Sequence, residues 1–408
     1  MSNCRFCHTP LEHTLVDLGL SPVANAYVTF DDLEKGEGFY PLHTYVCQAC
    51  FLVQIPEVRD RGSIFNGEYA YFSSFSTSWL KHCETYAAAM TARFGLGPAS
   101  KVVEVASNDG YLLQYFVKAG IPVLGVEPAA NCAAEAERKG VSTVVRFFGE
   151  QTARDLAPEH RADLIAGNNV FAHVPDINDF VEGFRQLLKP EGVVTLEFPH
   201  LLNLIQKREF DTIYHEHYSY LSFLAAQRIF RAHGLSLIDV DELPTHGGSL
   251  RIYGCLQDAA HAETPAVAAM QAKEKAANLD SMEGYRGYEA EVRKAKRDLL
   301  KFLITAREEG KRVAAYGAPA KGNTLLNYCG VRTDMIDYTV DRSPHKQGRF
   351  LPGTRIPIHA PERIFETRPD YVLILPWNLK EEIMEQMSGI REWGGRFVVP
   401  IPELKVLG

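Results

Sequence analysis

The stretch Val102–Gly110, with the sequence Val-Val-Glu-Val-Ala-Ser-Asn-Asp-Gly, decides how this chain folds. Its first four residues read as a short buried strand, and a loop of small and acidic residues follows before a helical segment begins. A loop of this kind at the carboxyl end of a strand lets a ligand approach the backbone closely. The G-x-G-x-x-G fingerprint of dinucleotide sites is absent here. The stretch therefore predicts the first strand of an α/β sheet that binds a ligand without a pyrophosphate.

Strands and helices alternate after this stretch with short connections, a pattern that predicts a parallel, doubly wound sheet. The predicted strands of this sheet are Val102–Val105, Val123–Glu127, Val141–Val145, Asp163–Ala166 and Gly192–Phe198. The predicted helices are Tyr69–Phe94, Tyr111–Lys118, Ala130–Lys139 and Ile177–Leu188. A second α/β unit has predicted strands at Arg312–Tyr316, Tyr338–Val340, Tyr371–Leu375 and Phe397–Val399.

Half of the eight cysteines form two close pairs near the N-terminus, Cys4-x-x-Cys7 and Cys47-x-x-Cys50, and the others are scattered singly. Each pair places two thiolates on one tight turn. Two such turns that face each other supply the tetrahedral cage of four sulfurs that Zn²⁺ prefers, and this closed shell predicts a structural site. A redox pair, or two unrelated pairs, are the alternatives.

The chain of 408 residues is long enough for several domains. We expect a zinc-binding region over 1–68, a domain built on the first sheet over 69–264, a charged helical linker over 265–310 and a Rossmann-like unit over 311–408. A formal net charge of -8 argues against nucleic acid or an anionic membrane as the main partner, and no obligate protein partner is evident. The first residues lack the apolar core of a signal peptide, and no apolar run reaches membrane-spanning length. We therefore expect a cytoplasmic protein.

Acidic side chains at two strand ends suit a ligand that carries a positive charge. Glu104 and Asp109 are candidates to meet the sulfonium and the amino group of an amino-acid sulfonium ligand. Glu127, followed by Pro128, ends the second strand, where a carboxylate can accept hydrogen bonds from both ribose hydroxyls. The other candidate cofactor contacts are Ala106, Ser107, Asn108, Gly110, Asn168 and Asn169. The alternative is a nucleotide-binding domain without methyl transfer.

Ionisable side chains are densest at Tyr214–Tyr218, with the sequence Tyr-His-Glu-His-Tyr, after the fifth predicted strand. Histidine is a natural general base near neutral pH, and a neighbouring carboxylate can orient it. A second zinc site and an exposed polar segment are the competing interpretations, but His-x-His alone is a poor metal pattern. His173 follows the fourth strand and is expected at the same crevice, unless it is a structural histidine.

Glycines and basic residues further along the chain indicate a substrate site. In His246–Arg251 two glycines let the backbone approach a ligand, and Arg251 is a candidate to meet a phosphate. The run Tyr316–Asn323 leads from a strand into a helix whose N-terminus favours an anion, and Lys321 adds positive charge. The candidate substrate contacts are His246, Gly247, Gly248, Arg251, Tyr316, Lys321, Asn323, Asp341, Lys346, Trp377 and Asn378.

The order and combination of these motifs resemble a known family. The cysteine pairs, Glu-x-Ala-Ser-Asn-Asp-Gly, the His173 loop, Tyr-x-Glu-His, His-Gly-Gly-Ser-x-Arg, Gly-Ala-x-Ala-Lys-Gly and Pro-Trp-Asn span essentially the whole chain. Together they are similar to the S-adenosylmethionine-dependent C-methyltransferases of nucleotide sugars, typified by the C-3′ enzymes for dTDP-4-keto deoxysugars. The resemblance implies an N-terminal zinc-binding region, a central class I methyltransferase domain and a C-terminal Rossmann-like unit that helps to hold a dTDP- or GDP-linked sugar.

Residue by residue, the resemblance implies His217 as the general base, with His173 as the other candidate. Tyr214, Glu216 and His173 would assist, and Tyr71 would reach the sugar. The implied reaction removes a proton from the carbon next to a ketone, stabilises the enolate and methylates that carbon. O- or N-methylation of a sugar nucleotide is the runner-up, and a non-catalytic zinc- and nucleotide-binding module is less favoured. The sugar, the ring carbon and the nucleobase stay open at this stage.

Overall fold

The computed structural model describes residues 2–58 and 72–408, and over these residues the strands form three sheets. The strands are β1 (His13–Ser21), β2 (Tyr40–Val46), β3 (Val53–Gln54), β4 (Val102–Val105), β5 (Val123–Val126), β6 (Thr143–Val144), β7 (Ala162–Asn168), β8 (Leu188–Pro199), β9 (Ser219–Tyr220), β10 (Leu235–Leu243), β11 (Ser249–Leu256), β12 (Val313–Tyr316), β13 (Thr339–Val340), β14 (Ile358–His359), β15 (Tyr371–Ile374), β16 (Arg396–Val399) and β17 (Lys405–Leu407). The helices are α1 (Thr77–Phe94), α2 (Leu113–Lys118), α3 (Ala130–Arg138), α4 (Glu150–His160), α5 (Ile177–Leu187), α6 (Leu201–Gln206), α7 (Phe223–Ala232), α8 (Pro265–Ala276), α9 (Tyr288–Glu308), α10 (Ala320–Cys329), α11 (Arg363–Thr367) and α12 (Lys380–Gln386).

The central sheet has seven strands in the order β10-β11-β8-β7-β4-β5-β6. The strands from β4 to β8 run parallel, whereas β10 and β11 are antiparallel to their neighbours. All four residues of β4 are buried, because side chains from both faces enter a core. Val103 and Val105 pack into one apolar cluster, and Val102 packs into another with α1 and α2. The predicted α/β class and doubly wound sheet are confirmed.

Some strands of this sheet differ from the sequence prediction. The third predicted strand, Val141–Val145, shortens to β6, which is an edge strand that pairs only at Thr143 and Val144. The fifth begins at Leu188, ahead of the predicted Gly192, because Leu188 already pairs with β7. The antiparallel strands β10 and β11 were not predicted.

The zinc-binding region folds on an antiparallel sheet with the order β1-β2-β3-β9. Three of these strands belong to the N-terminal region, but β9 follows the Tyr214–Tyr218 cluster in sequence. Ser219 pairs with Gln54 and Tyr220 pairs with Val53, so the chain that carries the histidine cluster completes the N-terminal sheet.

The C-terminal sheet has the order β14-β13-β12-β15-β16-β17, in which only β17 is antiparallel to its neighbour. The charged segment before it contains α8 and α9, separated by a 3-10 turn at Met282–Tyr285. α8 packs against β10 of the central sheet, and α9 packs against β1 and α10. Each of the two helices thus joins a different part of the protein.

Parallel strands bring their carboxyl ends to one edge of a sheet, where doubly wound folds bind ligands. In the central sheet this edge carries the loops after β4, β5, β7 and β8, and it faces α10 of the C-terminal unit across a cavity. Across residues 2–58 and 72–408, every helix is too short or too polar to span a bilayer.

Candidate active site

Four cysteine thiols lie together in the N-terminal region. The Sγ atoms of Cys4, Cys7, Cys47 and Cys50 all lie within 4.8 Å of one another, and three of these residues are buried. Each pair lies on a tight turn; in the first, the His8 amide donates to the carbonyl of Cys4. Four thiolates at this separation fit the tetrahedral shell of Zn²⁺ and leave no position for a reactive water. The structure thus brings the predicted ligands together as one zinc centre of structural type.

One cavity of about 400 Å³ runs from the carboxyl edge of the central sheet to α10. Its walls include side chains from the zinc-binding region, the central domain and the C-terminal unit. The predicted site residues that line it are Ala106, Asn108, Glu127, Pro128, Asn168, Asn169, His173, Tyr214, Glu216, His217, His246, Lys321 and Lys346. The residues of the predicted cofactor crevice and the histidine cluster therefore line one cavity.

The loop after β4 adopts a conformation that suits close contact with a ligand. Ala106 and Asn108 have positive φ angles of 57° and 47°, and Gly110 has one of 74°. A Cβ at Gly110 would also lie 3.2 Å from Ala136 of α3, so this position needs glycine both for its φ angle and for the approach of the helix. The Ser73 amide donates to Asn108 Oδ1 at 2.9 Å, which holds the loop from the other side.

Glu127 lies at the end of β5 and is only 4% exposed. Its Oε2 accepts a hydrogen bond from the Asn108 amide at 2.9 Å, and its Oε1 accepts one from the Ala129 amide at 2.8 Å. Burial raises the pKa of Glu127, and these two amides oppose that effect. Each carboxylate oxygen has a second lone pair. The arrangement fits the predicted contact with the two ribose hydroxyls of S-adenosylmethionine.

Tyr214 and His217 form a hydrogen-bonded pair at the centre of the cavity. The Nδ1 of His217 is 2.9 Å from the carbonyl of Thr212, and its Nε2 is 2.8 Å from the Tyr214 hydroxyl. Because a carbonyl can only accept, Nδ1 carries the proton and Nε2 carries the free electron pair. Burial lowers the pKa of His217 well below its usual range, and the nearby His173 lowers it further. The imidazole is therefore neutral at pH 7 and able to accept a proton.

Two further ionisable groups surround this pair. The ring of His173 meets that of His217 edge to face, with 4.6 Å between the ring centroids. Burial lowers the pKa of His173 to about 4, so this histidine is also neutral. Burial raises the pKa of Glu216 to about 7, against a hydrogen bond from Asn25 Nδ2 to its Oε1 at 2.7 Å. The predicted role of Glu216 in orienting the base changes, because Thr212 and Tyr214 hold both nitrogens of His217.

Lys321 brings positive charge to the cavity from the first turn of α10. Its Nζ donates to Asn378 Oδ1 at 2.6 Å and lies 4.6 Å from the centre of the Trp377 ring. Burial lowers the pKa of Lys321, while the carboxyl groups of Asp211 and Glu209 oppose this shift. The Lys321 ammonium group is thus held between the C-terminal unit and the central domain, next to the histidine cluster.

Comparisons with known proteins agree with this geometry. Three family models match the chain: a zinc binding domain over residues 4–65, a methyltransferase domain over 79–240 and a C-methyltransferase C-terminal domain over 244–402. A relative described as C-methyltransferase NovU, from Streptomyces niveus, is 36% identical over 408 residues, which is 100% of this chain and 97% of the relative. The chain belongs to the C-methyltransferase family. The resemblance noted from the motifs is confirmed, and the enzyme depends on S-adenosylmethionine.

Other likenesses to this C-methyltransferase are more distant. A ubiquinone biosynthesis O-methyltransferase from Rhodopseudomonas palustris (strain BisA53) is 26% identical over 97 residues, which is 24% of this chain and 38% of the relative. The structure of 1,6-didemethyltoxoflavin-N1-methyltransferase from Burkholderia thailandensis aligns with 51% of this chain and 95% of its own, at 17% identity and a TM-score of 0.36.

Four predicted cofactor contacts of the C-methyltransferase do not line the cavity: Glu104, Ser107, Asp109 and Gly110, the last of which packs against α3. Glu104 is fully buried inside β4, and burial raises its pKa well above the usual range. Asp109 pairs instead with Lys139, whose Nζ lies 2.9 Å from Oδ2. Ser107 is buried against Gly125 of β5. Neither acid lines the cavity, so the predicted contacts of both with the cofactor are corrected.

Arg251 does not reach the cavity either, and its predicted contact with a phosphate was wrong. It lies in β11, where its Nη2 is 3.0 Å from Oε2 of the fully buried Glu197. The same carboxylate oxygen is 2.9 Å from His82 Nε2 of α1. Burial alone would raise the pKa of Glu197, but the hydrogen bond with His82 and the charge of Arg251 outweigh it and lower the pKa. The Arg251 guanidinium is therefore paired with the buried Glu197 carboxylate.

The glycines of the same motif serve packing within the enzyme. A Cβ on Gly247 would lie 2.6 Å from Glu209 and 2.7 Å from Trp377, and one on Gly248 would lie 2.4 Å from Asn203. These neighbours are protein side chains, so the predicted approach of the backbone to a ligand at these glycines was wrong. They bring α6 and the C-terminal unit against the end of β11.

Five other predicted substrate contacts do not line the cavity: Tyr316, Asn323, Asp341, Trp377 and Asn378. The Tyr316 hydroxyl contacts Gln386, and Asn323 Nδ2 donates to the carbonyl of Ala24. Asp341 accepts from a backbone amide of the loop that precedes α10. The side chains of these residues therefore contact other protein groups and support the residues that line the cavity. Tyr71, predicted to reach the sugar, lies outside the described residues.

Several residues that the structure places at the site were not predicted from the sequence. Asn25 and Trp79 line the cavity, and Thr212 fixes the tautomer of His217. Asp211 is buried and accepts from the Trp377 indole N–H at 2.7 Å. The position of Asp211 just before Tyr214–Tyr218 could have indicated that it lies near the site, because an acid next to an ionisable cluster in sequence shares the environment of that cluster. Asn25 carries no such signal, since it lies far from the cluster in sequence.

Proposed function

We propose that this C-methyltransferase methylates the carbon next to the ketone of a 4-keto sugar linked to dTDP or GDP. The observation that carries the proposal is the neutral Tyr214–His217 pair inside the cavity that also contains the cofactor crevice. Methylation at carbon needs a base for a C–H bond and a donor for the resulting oxyanion. A base and a hydroxyl donor in contact meet both needs.

In the proposed step, the Tyr214 hydroxyl turns from Nε2 of His217 to the ketone oxygen. The C–H bond next to the ketone then breaks, and its proton moves to the released lone pair of Nε2. The electron pair moves toward the ketone, whose oxygen becomes an enolate. The carbonyl of Thr212 then stabilises the imidazolium through Nδ1–H, at the 2.9 Å contact described above. The Tyr214 hydroxyl supplies the donor for the enolate oxygen, with His173 as the alternative donor. When bound, S-adenosylmethionine supplies the methyl group as a sulfonium.

The nucleotide would bind toward the C-terminal unit. Lys321 and Lys346 line that side of the cavity, and the N-terminus of α10 faces it at Ala320. A helix N-terminus and two ammonium groups favour an anion such as a diphosphate. Binding energy from this remote part of the substrate can hold the sugar ring in register with the base.

Deuterium exchange tests the proposal. Enzyme with a 4-keto sugar nucleotide and an unreactive cofactor analogue in D₂O should wash deuterium into the carbon next to the ketone, as read by NMR. His217→Asn keeps the shape but removes the base, so exchange and methylation should both fall by about 10²–10⁴-fold. His261→Asn is the matched control, because His261 lies beside Glu191 at the opposite end of β8.

The outcomes separate the candidate reactions. Loss of both exchange and methylation in His217→Asn supports the proposal. Exchange that survives in this variant would move the base to His173. An enzyme that methylates oxygen or nitrogen needs no enolate, so methylation without any exchange in the wild type would overturn C-methylation at that carbon.

A further inference from the structure

The catalytic segment Tyr214–Tyr220 is attached to the zinc-binding region at several points. Its last two residues form β9 and pair with β3. The Ile55 amide donates to the carbonyl of Tyr218 at 3.1 Å, and His215 Nε2 lies 3.2 Å from the carbonyl of Pro41. A segment fixed by main-chain bonds at several points has little freedom to shift. The zinc-binding region therefore sets the position of the histidine cluster.

The link reaches the zinc ligands themselves through one buried side chain. Gln54 of β3 is only 1% exposed, and its backbone pairs with Ser219 of β9. Its Nε2 donates to Cys4 Sγ at 3.1 Å, and its Oε1 accepts from the Arg5 amide at 2.9 Å. The amide group thus bridges the cysteine turn and the strand that continues the catalytic segment.

A loop of the same region, Pro22–Val28, enters the site itself. Asn25 lines the cavity and donates from Nδ2 to Glu216 Oε1 at 2.7 Å. On one side of it, the carbonyl of Ala24 accepts from the side chain of Asn323 at 2.6 Å. On the other side, the Tyr27 hydroxyl donates to the carbonyl of Ala318, just before α10, at 2.5 Å. The loop is held by the C-terminal unit while its asparagine reaches the central domain.

We propose that the loop Pro22–Val28 of the zinc-binding region is part of the acceptor site, and that Asn25 is a positioning residue that fixes the Glu216 carboxyl group toward the bound sugar. The amide of Asn25 occupies Oε1, so Oε2 is left to meet a hydroxyl or the ketone of the substrate. The kinetic part of this inference rests on the proposed function. The geometric part does not, since the hydrogen bond exists without substrate.

The surroundings of Glu216 make the role of Asn25 measurable. Glu216 is 3% exposed. The groups that face it are the ring of His173, which is hydrogen-bonded to the Glu216 backbone, and Tyr27 with the adjacent Lys346. Burial raises the pKa of Glu216 to about 7, and the hydrogen bond from Asn25 holds it lower than burial alone would. Loss of that bond should raise the pKa further, whichever protonation state the reaction uses.

Two variants of Asn25 test the inference. Asn25→Ala removes the donor, and Asn25→Asp replaces it with a like charge that should raise the Glu216 pKa more than alanine does. Glu12→Gln, at an exposed position of the same region, is the control. The Glu216 carboxyl is titrated by ¹³C NMR without substrate, its signal being assigned by its absence in Glu216→Gln. Zinc content, cofactor affinity and steady-state kinetics are measured in parallel.

We expect the titration midpoint of Glu216 to rise in the order wild type, Asn25→Ala, Asn25→Asp. The kcat for a keto-sugar nucleotide should fall about 10-fold, as loss of one buried hydrogen bond implies. Zinc content and cofactor affinity should stay at the wild-type level. An unchanged midpoint in both variants would overturn the assignment, as would loss of zinc on Asn25→Ala, which would make Asn25 a folding residue. Failure of the wild type to act on keto-sugar nucleotides would refute the proposed function alone, because the titration needs no substrate.

Discussion

Replacement of Glu127 by alanine should weaken the binding of S-adenosylmethionine strongly. The backbone amides of Asn108 and Ala129 hold the Glu127 carboxylate in one orientation. Its remaining lone pairs are therefore already oriented toward the ribose site in the absence of the cofactor. Alanine removes both acceptors of the ribose hydroxyls. It also leaves two buried amides without their partner, in the loop that forms the rest of the cofactor site.

The size of the effect follows from these contacts. A hydrogen bond to a charged group contributes about 1.5–3 kcal/mol, and the ribose offers two hydroxyls. Because a carboxylate in water already makes good hydrogen bonds, the lower end is appropriate, and the total is about 3 kcal/mol. That free energy corresponds to a roughly 100-fold increase in Kd. Glu127→Gln keeps one carbonyl oxygen and should fall between alanine and the wild type.

Isothermal titration calorimetry measures this directly, with Glu137→Ala on the exposed side of α3 as the control. Burial raises the pKa of Glu127, and a protonated carboxyl loses part of its acceptor capacity. Cofactor affinity of the wild type should therefore fall as the pH drops through this raised pKa, and the alanine variant should lack that dependence. A Kd in Glu127→Ala equal to that of the wild type would show that the ribose binds elsewhere.

Three other changes test separate parts of the molecule. Purified enzyme should contain one zinc ion per chain, and Cys47→Ser should reduce both the zinc content and the yield of folded protein, since structural zinc contributes to folding. Lys321→Ala should raise the KM for the sugar nucleotide about 10-fold and spare cofactor affinity, whereas Lys301→Ala, at an exposed position of α9, should change neither. Glu197→Gln should lower the free energy of unfolding by roughly 3–5 kcal/mol, because the buried Arg251 loses its partner. Denaturant titration should show the whole difference in free energy of unfolding at neutral pH. The difference should become smaller as the pH falls through the lowered pKa of Glu197.

Much of the fold was readable because it rests on local patterns. The buried strand and small-residue loop at Val102–Gly110 predicted the centre of the sheet, and short-range spacing identified the zinc ligands. Glu127 could be placed at the crevice because the end of a strand is a local property. The pair Tyr214 and His217 was visible as a cluster of ionisable residues, although their mutual hydrogen bond was not.

The errors concern contacts between residues that are distant in sequence. Arg251 was predicted to bind a phosphate because its actual partner, Glu197, lies on another strand. No local sequence pattern predicts that ion pair. Asp109 was misjudged for the same reason, since Lys139 approaches it from the end of a helix. Asn25 was missed because its place at the site depends on how the N-terminal sheet docks. Such contacts arise from tertiary packing, which periodicity does not encode.

The cavity has walls from all three parts of the chain, and this has a thermodynamic consequence. A ligand that fills it adds contacts across every interface, so it binds only the assembled protein and not any part alone. By mass action, a ligand present at about 100 times its Kd stabilises the assembled state by about 2.7 kcal/mol. Since cofactor and substrate would occupy neighbouring ends of one space, each stabilises the arrangement that the other needs. Ligand saturation should thus make the three parts of the chain unfold together.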